Sequence, residues 1–189
     1  MISYSVTSQP AAEPLTTAEA KTHLRVDTSD DDAYIATLII AARKWVEEMA
    51  NLALITQTIA QKFDCFPANA GYIELAKSPV QSISSIAYVD ENGDTQTWAS
   101  ANYQTDIVSE PARAMPVYGG SYPSTRVQLA PVTITYVAGY GAAGSNVPAP
   151  IVHALKLLIA DMYEARENKP RDGRPAMLYL LDNYRVKSF

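Results

Sequence analysis

Cysteine is almost missing from this chain: Cys65 stands alone in 189 residues. A single thiol closes no internal disulfide, so stability has to come from packing, and folding in a reducing cytoplasm is expected. Histidine is nearly as scarce. His23 and His153 lie far apart and have no Cys or His at ligand spacing, which removes the usual zinc frameworks. Long apolar runs are missing too, and the opening MISYSVTSQPAAEPLTT has neither the basic start nor the continuous apolar stretch of a signal peptide. Neither a membrane span nor export is predicted. Positive charge is short as well. With 15 Lys and Arg against 20 Asp and Glu, the net charge of -5 is the reverse of what a phosphate-gripping protein needs.

What is present is the balance of an ordinary folded protein, 48% hydrophobic and 19% charged. Charge is uneven along the chain. Basic residues gather after residue 148, at Lys156, Arg166, Lys169, Arg171, Arg174, Arg185 and Lys187, whereas the preceding part is acidic. Thr16 and Glu19 have capping-box spacing, which predicts a short helix ending near Leu24. Ser29 and Asp32 repeat that spacing, with Asp30, Asp31 and Asp32 at the positive end of a helix dipole. Ile35, Leu38, Ile39, Ala42, Trp45, Val46, Met49 and Leu52 then recur at three- and four-residue steps, leaving Arg43, Lys44, Glu47 and Glu48 largely off the apolar face.

From Ile55 onward the texture is that of strands and turns. Residues 83–89 and 95–98 around Asn92-Gly93 predict a hairpin, and Val132 to Val137 is β-branched at nearly every position. Residues 110–126 carry Pro111, Pro116, Gly119, Gly120 and Pro123 with Met115, Val117, Tyr118 and Tyr122. A long loop of this kind is usually functional or disordered. It is expected to be a contact loop, with those four apolar or aromatic residues meeting an oligomer neighbour or partner. Tyrosine, at 12 residues, is the abundant aromatic and is enriched where proteins meet. Helix returns at Pro148-Ala149-Pro150, with Ile151, Leu155, Leu158, Ile159, Met162 and Tyr163 as its stripe, and Ala176 to Tyr184 predicts a last short helix with Leu178, Leu181 and Tyr184 on one side.

The expectation is an α+β fold in a single domain: an irregular start (1–14), helices (15–54), a small antiparallel β insertion (55–146), helices again (147–184) and a basic tail (185–189), with the terminal helices packed as a bundle. Chemistry-bearing motifs are thin. Gly139-Tyr140-Gly141-Ala142-Ala143-Gly144 spells G-x-G-x-x-G, but Ser145 to Pro150 separates it from the next helix, so a strand-to-helix turn is the expected reading. Asp27, Asp30, Asp31 and Asp32 lack the loop glycine and distant glutamate of an EF-hand. Cys65 is expected to be a buried thiol. No catalytic, cofactor or metal site is predicted.

The order of many small motifs is more informative. Pro14-Leu15-Thr16-Thr17-Ala18-Glu19, Asp31-Asp32-Ala33-Tyr34-Ile35 and Ala41-Ala42-Arg43-Lys44-Trp45-Val46-Glu47 come first. Leu54-Ile55-Thr56-Gln57-Thr58, Ser78-Pro79-Val80, Tyr88-Val89-Asp90-Glu91-Asn92-Gly93, Ala138-Gly139-Tyr140-Gly141 and Leu180-Leu181-Asp182-Asn183-Tyr184-Arg185 follow. This succession resembles the head-tail connector family of long-tailed phages and gene transfer agents. The resemblance implies a structural virion protein, made in the bacterial host cytoplasm, that sits in the neck of a phage, prophage or phage-like particle. It implies a ring of about twelve copies under the portal protein, a docking surface for a stopper or tail-completion protein, and DNA only passing through the channel. It implies no cofactor and no enzyme activity. The C-terminal segment, with Tyr184, Arg185, Lys187 and Phe189 as anchors, would engage the portal. Residues 110–126 depart from the family pattern. Two other readings are a stopper or tail-completion protein, and a small-ligand-binding enzyme.

Overall fold

The computed structural model of the chain describes residues 3–68, 71–165 and 176–186. They fall into two units, one of residues 3–9, 56–139 and 186, the other of residues 10–55, 140–165 and 176–185. The class is mixed helix and sheet, as expected for α+β, and the sheet part is prominent rather than small.

Four helices make up the second unit: α1 (Thr17–Leu24), α2 (Asp32–Ala50), α3 (Ala149–Glu164) and α4 (Ala176–Leu181). α1 begins as its capping box predicts. The Glu19 N–H donates to Thr16 Oγ1 at 3.2 Å and the Thr16 N–H donates to the Glu19 carboxylate at 2.9 Å. The Thr16 N–H and the Thr16 hydroxyl, both donating to the Glu19 carboxylate, hold that carboxyl below its usual range. The capping box expected at Ser29 is not formed: Asp31 is the N-cap of α2 and makes no side-chain cap bond, because the chain turns through an Asp32 N–H to Ser29 carbonyl bond instead. The acidic run is used otherwise, since Asp32 pairs with Lys21 of α1 at 2.6 Å and Asp31 accepts the Tyr163 hydroxyl from α3. α2 ends on Asn51 in the left-handed region at φ 56°. α3 touches α1, α2 and α4, burying Ile151, Ala154, Leu155, Leu158 and Ile159, while α4 turns Met177 and Leu181 inward.

Arg43 and Glu47 overturn the expectation that the charged residues of α2 lie off its packed face. Both are buried, at 4% and 7% exposure. Arg43 is held by the Glu13 carboxylate at 2.7 Å and the Glu47 carboxylate at 2.9 Å. Glu47 also accepts the Leu54 N–H at 2.9 Å. A buried guanidinium is tolerable because carboxylates on two sides compensate its lost hydration.

The first unit is built on a five-stranded antiparallel sheet in the order β1 (Ser3–Ser8), β2 (Gln57–Phe63), β8 (Val132–Ala138), β4 (Val80–Val89), β5 (Thr95–Thr97). A three-stranded antiparallel sheet has the order β3 (Ile73–Glu74), β7 (Arg113–Pro116), β6 (Tyr103–Asp106). β8 alternates buried and half-buried positions along its length, with Val132, Ile134, Tyr136 and Ala138 inward. The Tyr136 hydroxyl donates to Gln61 Oε1 at 3.4 Å, and Gln61 accepts the Ala76 N–H at 2.9 Å, so these two buried polar side chains are satisfied.

Three expectations are corrected. The N-terminus is not irregular at Ser3–Ser8, which pairs with β2, so the sheet takes a strand from ahead of the helices and is more than an insertion between them. Residues 110–126 are not structureless throughout, because Arg113–Pro116 form β7. Cys65 is exposed rather than buried. Of the expected hairpin, β4 and β5 pair as predicted, with Gly93 at φ 96° in the turn. Among the described residues no helix is long and apolar enough to cross a membrane.

Candidate interaction surfaces

The β6–β7 pair and the segment after it carry the residues expected as contacts. Gln104 pairs with Met115 across the ladder, and Met115 is half-buried. Val117 donates its N–H to the Asn102 carbonyl at 3.1 Å, which fixes the chain as it leaves β7. Its side chain is 36% exposed, and Tyr118 beside it stands clear of the surface.

Tyr122 behaves differently. Its ring stacks on Phe66 at 4.9 Å and lies 5.3 Å from Trp98, and its hydroxyl donates to the Gly71 carbonyl at 2.7 Å. Burial pushes its phenol up to about 12. Phe66 also meets Tyr88, and Trp98 meets Tyr103, so Tyr122 is one member of an aromatic cluster that positions the loop.

Sequence reasoning missed three fully presented apolar residues, Val108, Val127 and Leu129, at 90%, 102% and 90% exposure. Val127-Gln128-Leu129 alternates like a half-buried strand, so its pattern argues for burial on one side. The backbone goes elsewhere. The Arg126 N–H donates to the Val89 carbonyl, and the Ala130 N–H donates to the Asp64 carboxylate at 3.1 Å with Ala130 at φ 50°. The β4–β5 turn is acidic, with Asp90, Glu91 and Asp94. The Asp90 carboxylate accepts from the Gln96 side chain and from the Asp94 and Asn92 N–H groups, which holds it below its usual range.

The C-terminal anchors divide. α4 passes into a 3₁₀ turn at Asp182–Tyr184, where Tyr184 is half-buried, and Arg185 is exposed. Val186 is only 6% exposed. Lys187 and Phe189 lie outside the described residues.

The chemically suggestive motifs resolve into structure. The glycine motif leads to a 3₁₀ turn at Gly144–Asn146, and α3 opens only at Ala149. A Cβ on Gly141 would meet the Asn146 side chain at 2.4 Å and one on Gly144 the Pro14 carbonyl oxygen at 2.6 Å, so these glycines allow close approach of this chain's own groups. His23 and His153, distant in sequence, come edge to face at 6.4 Å between α1 and α3. A groove of about 490 Å³ is lined by Glu13, Glu19, His153 and Lys156 among others. Its carboxylates are already engaged, Glu13 by Arg43 and Glu19 by Thr16. Among the described residues no three His, Cys, Asp or Glu side chains gather as metal ligands would.

A family described as phage gp6-like head-tail connector protein matches residues 15–116. Among solved structures, a chain of the neck of an empty GTA particle, computed with C6 symmetry, matches with a TM-score of 0.82 at 22% identity, over 99% of this chain and 97% of that one. A chain of the virion of a native gene transfer agent particle matches with 0.82 at 22%, over 98% and 96%. One from the neck of a native GTA particle, computed with C12 symmetry, gives 0.79 at 23%, over 100% and 97%. At these identities the likeness speaks for the fold. No curated protein matches the sequence.

Proposed function

The chain belongs to the phage gp6-like head-tail connector family, and from that premise we propose that it is a structural subunit of a virion neck that rings the DNA channel beneath the portal. The carrying observation is the family match over residues 15–116, joined to a fold shared along nearly the whole chain with proteins of GTA necks. The work is mechanical: about twelve subunits stand side by side, each a single connector domain, and their helices pack as a bundle that forms the ring wall. A net charge of -5 suits a channel that must let phosphates slide through. No step of catalysis and no cofactor is part of this reading.

Tyr184, Arg185, Lys187 and Phe189 are the proposed portal contacts. Met115, Val117 and Tyr118 are proposed to meet the next ring or tail-side protein, a stopper or tail-completion protein, with Tyr122 holding their loop in place. Removing the whole C-terminal segment is a poor test, because Met177, Leu181 and Val186 are buried. Arg185→Glu with Lys187→Glu is better. Light scattering of the purified chain mixed with portal protein should show a complex of ring mass, and the double variant should bind portal at least tenfold more weakly. A wild-type chain that stays monomeric beside portal rejects the ring, and undiminished binding by the variant rejects the anchors.

A further inference from the structure

We propose that the loop of residues 127–130 is a docking knob for a different protein of the particle, one that offers Val127 and Leu129 an apolar socket with a basic rim. This rests on the neck reading and deepens it by stating the chemistry of the tail-side partner.

Single exposed apolar side chains are ordinary. Here two of them, at 102% and 90% exposure, share one short loop. Val89 holds both feet of that loop: its carbonyl accepts the Arg126 N–H at 3.0 Å, and its N–H donates to the Pro131 carbonyl at 2.9 Å. The Asp64 carboxylate accepts the Ala130 N–H at 3.1 Å, and Ala130 is held at φ 50°, a region an alanine enters at a cost. The loop is thus fixed with its apolar side chains in water, so a partner that buries them has little ordering left to impose.

Charge selects the partner. The turn that follows Val89 carries Asp90, Glu91 and Asp94, and the Arg126 guanidinium lies beside its Gly93, so three carboxylates and one cation flank the knob. An acidic collar repels phosphates and calls for a basic rim on what it meets. A second copy does not supply one. Its grooves carry carboxylates of their own, Glu19 beside His153, Asp32 beside Lys21, and Asp106 beside Tyr72. The portal contacts proposed above are basic and call for a surface of the opposite sign. Tyr118, a proposed tail-side contact, stands on the same β7–β8 connection as the knob.

The full-length chain assembled on portal is titrated with the purified protein that adjoins it on the tail side of the same particle. Val127→Ser with Leu129→Ser should weaken that binding at least tenfold, with ring mass and thermal midpoint unchanged. Glu91→Lys with Asp94→Lys should weaken it at least fivefold at about 0.05 M salt and less at about 0.5 M. Undiminished binding by either variant overturns the proposal. Loss of the ring in the Val127, Leu129 variant overturns it in favour of a second copy as occupant. A wild-type ring that binds no tail-side protein overturns it while sparing the ring, and absence of any ring on portal overturns both.

Discussion

Arg43 is the residue whose environment is hardest to infer from its neighbours in sequence. It sits on α2 among lysine and glutamate, yet Glu13, thirty positions earlier, reaches it at 2.7 Å. Removing the guanidinium takes from Glu47, itself only 7% exposed, the cation that faces it at 2.9 Å. Arg43→Ala should therefore cost about 3 kcal/mol, read as a lower urea midpoint at unchanged slope. Tyr122 offers a test by pH. Its phenol titrates at about 12 in the folded chain against an ordinary 10, so the folded state keeps that proton longer than the unfolded one. The associated stability is fully present below about pH 10 and is lost as pH rises toward 12. Tyr122→Phe should flatten this alkaline decline. A residual slope should persist from Tyr136, whose phenol burial also pushes up.

Elements whose cause is local could be read from the sequence, and those that depend on a distant partner could not. The capping box of Thr16 and Glu19, the stripe of α2, the β4–β5 turn and the β-branched β8 each carry their reason within a few residues. β1 does not, because Ser-Tyr-Ser-Val-Thr-Ser becomes a strand only when β2 is beside it. β7 was hidden inside a proline- and glycine-rich stretch, and Pro116 ends that strand opposite Tyr103. Of the expected contact residues, Met115, Val117 and Tyr118 do reach the surface to differing degrees, while Val127 and Leu129 are exposed although their alternation fits a strand buried on one side. The β4–β5 turn can be tested directly. Gly93 has φ 96°, and a Cβ there would lie 2.5 Å from the Arg126 guanidinium. Gly93→Ala should cost about 1 kcal/mol and lower Tm by about 2–4 °C in a thermal melt.

At the scale of the molecule, charge is divided between an acidic body and a basic C-terminal part, and the proposed portal contact uses the basic part. Arg185 is exposed, so its attraction to an acidic partner should be screened. Raising salt from about 0.05 to 0.5 M should weaken portal binding by about tenfold or more, and much less so in the Arg185→Glu, Lys187→Glu variant, as measured by titration calorimetry. The place of β1 in the sheet has a further consequence for biosynthesis. Thr7 bonds to a residue 51 positions later in the chain. At about 5–20 residues per second, a ribosome takes roughly 3–10 s to supply that partner, and longer to supply β8. During translation β1 therefore waits, uncharged and without its sheet neighbour, beside other nascent copies on the same message, and neck subunits should need chaperones over the interval between the synthesis of β1 and that of β2.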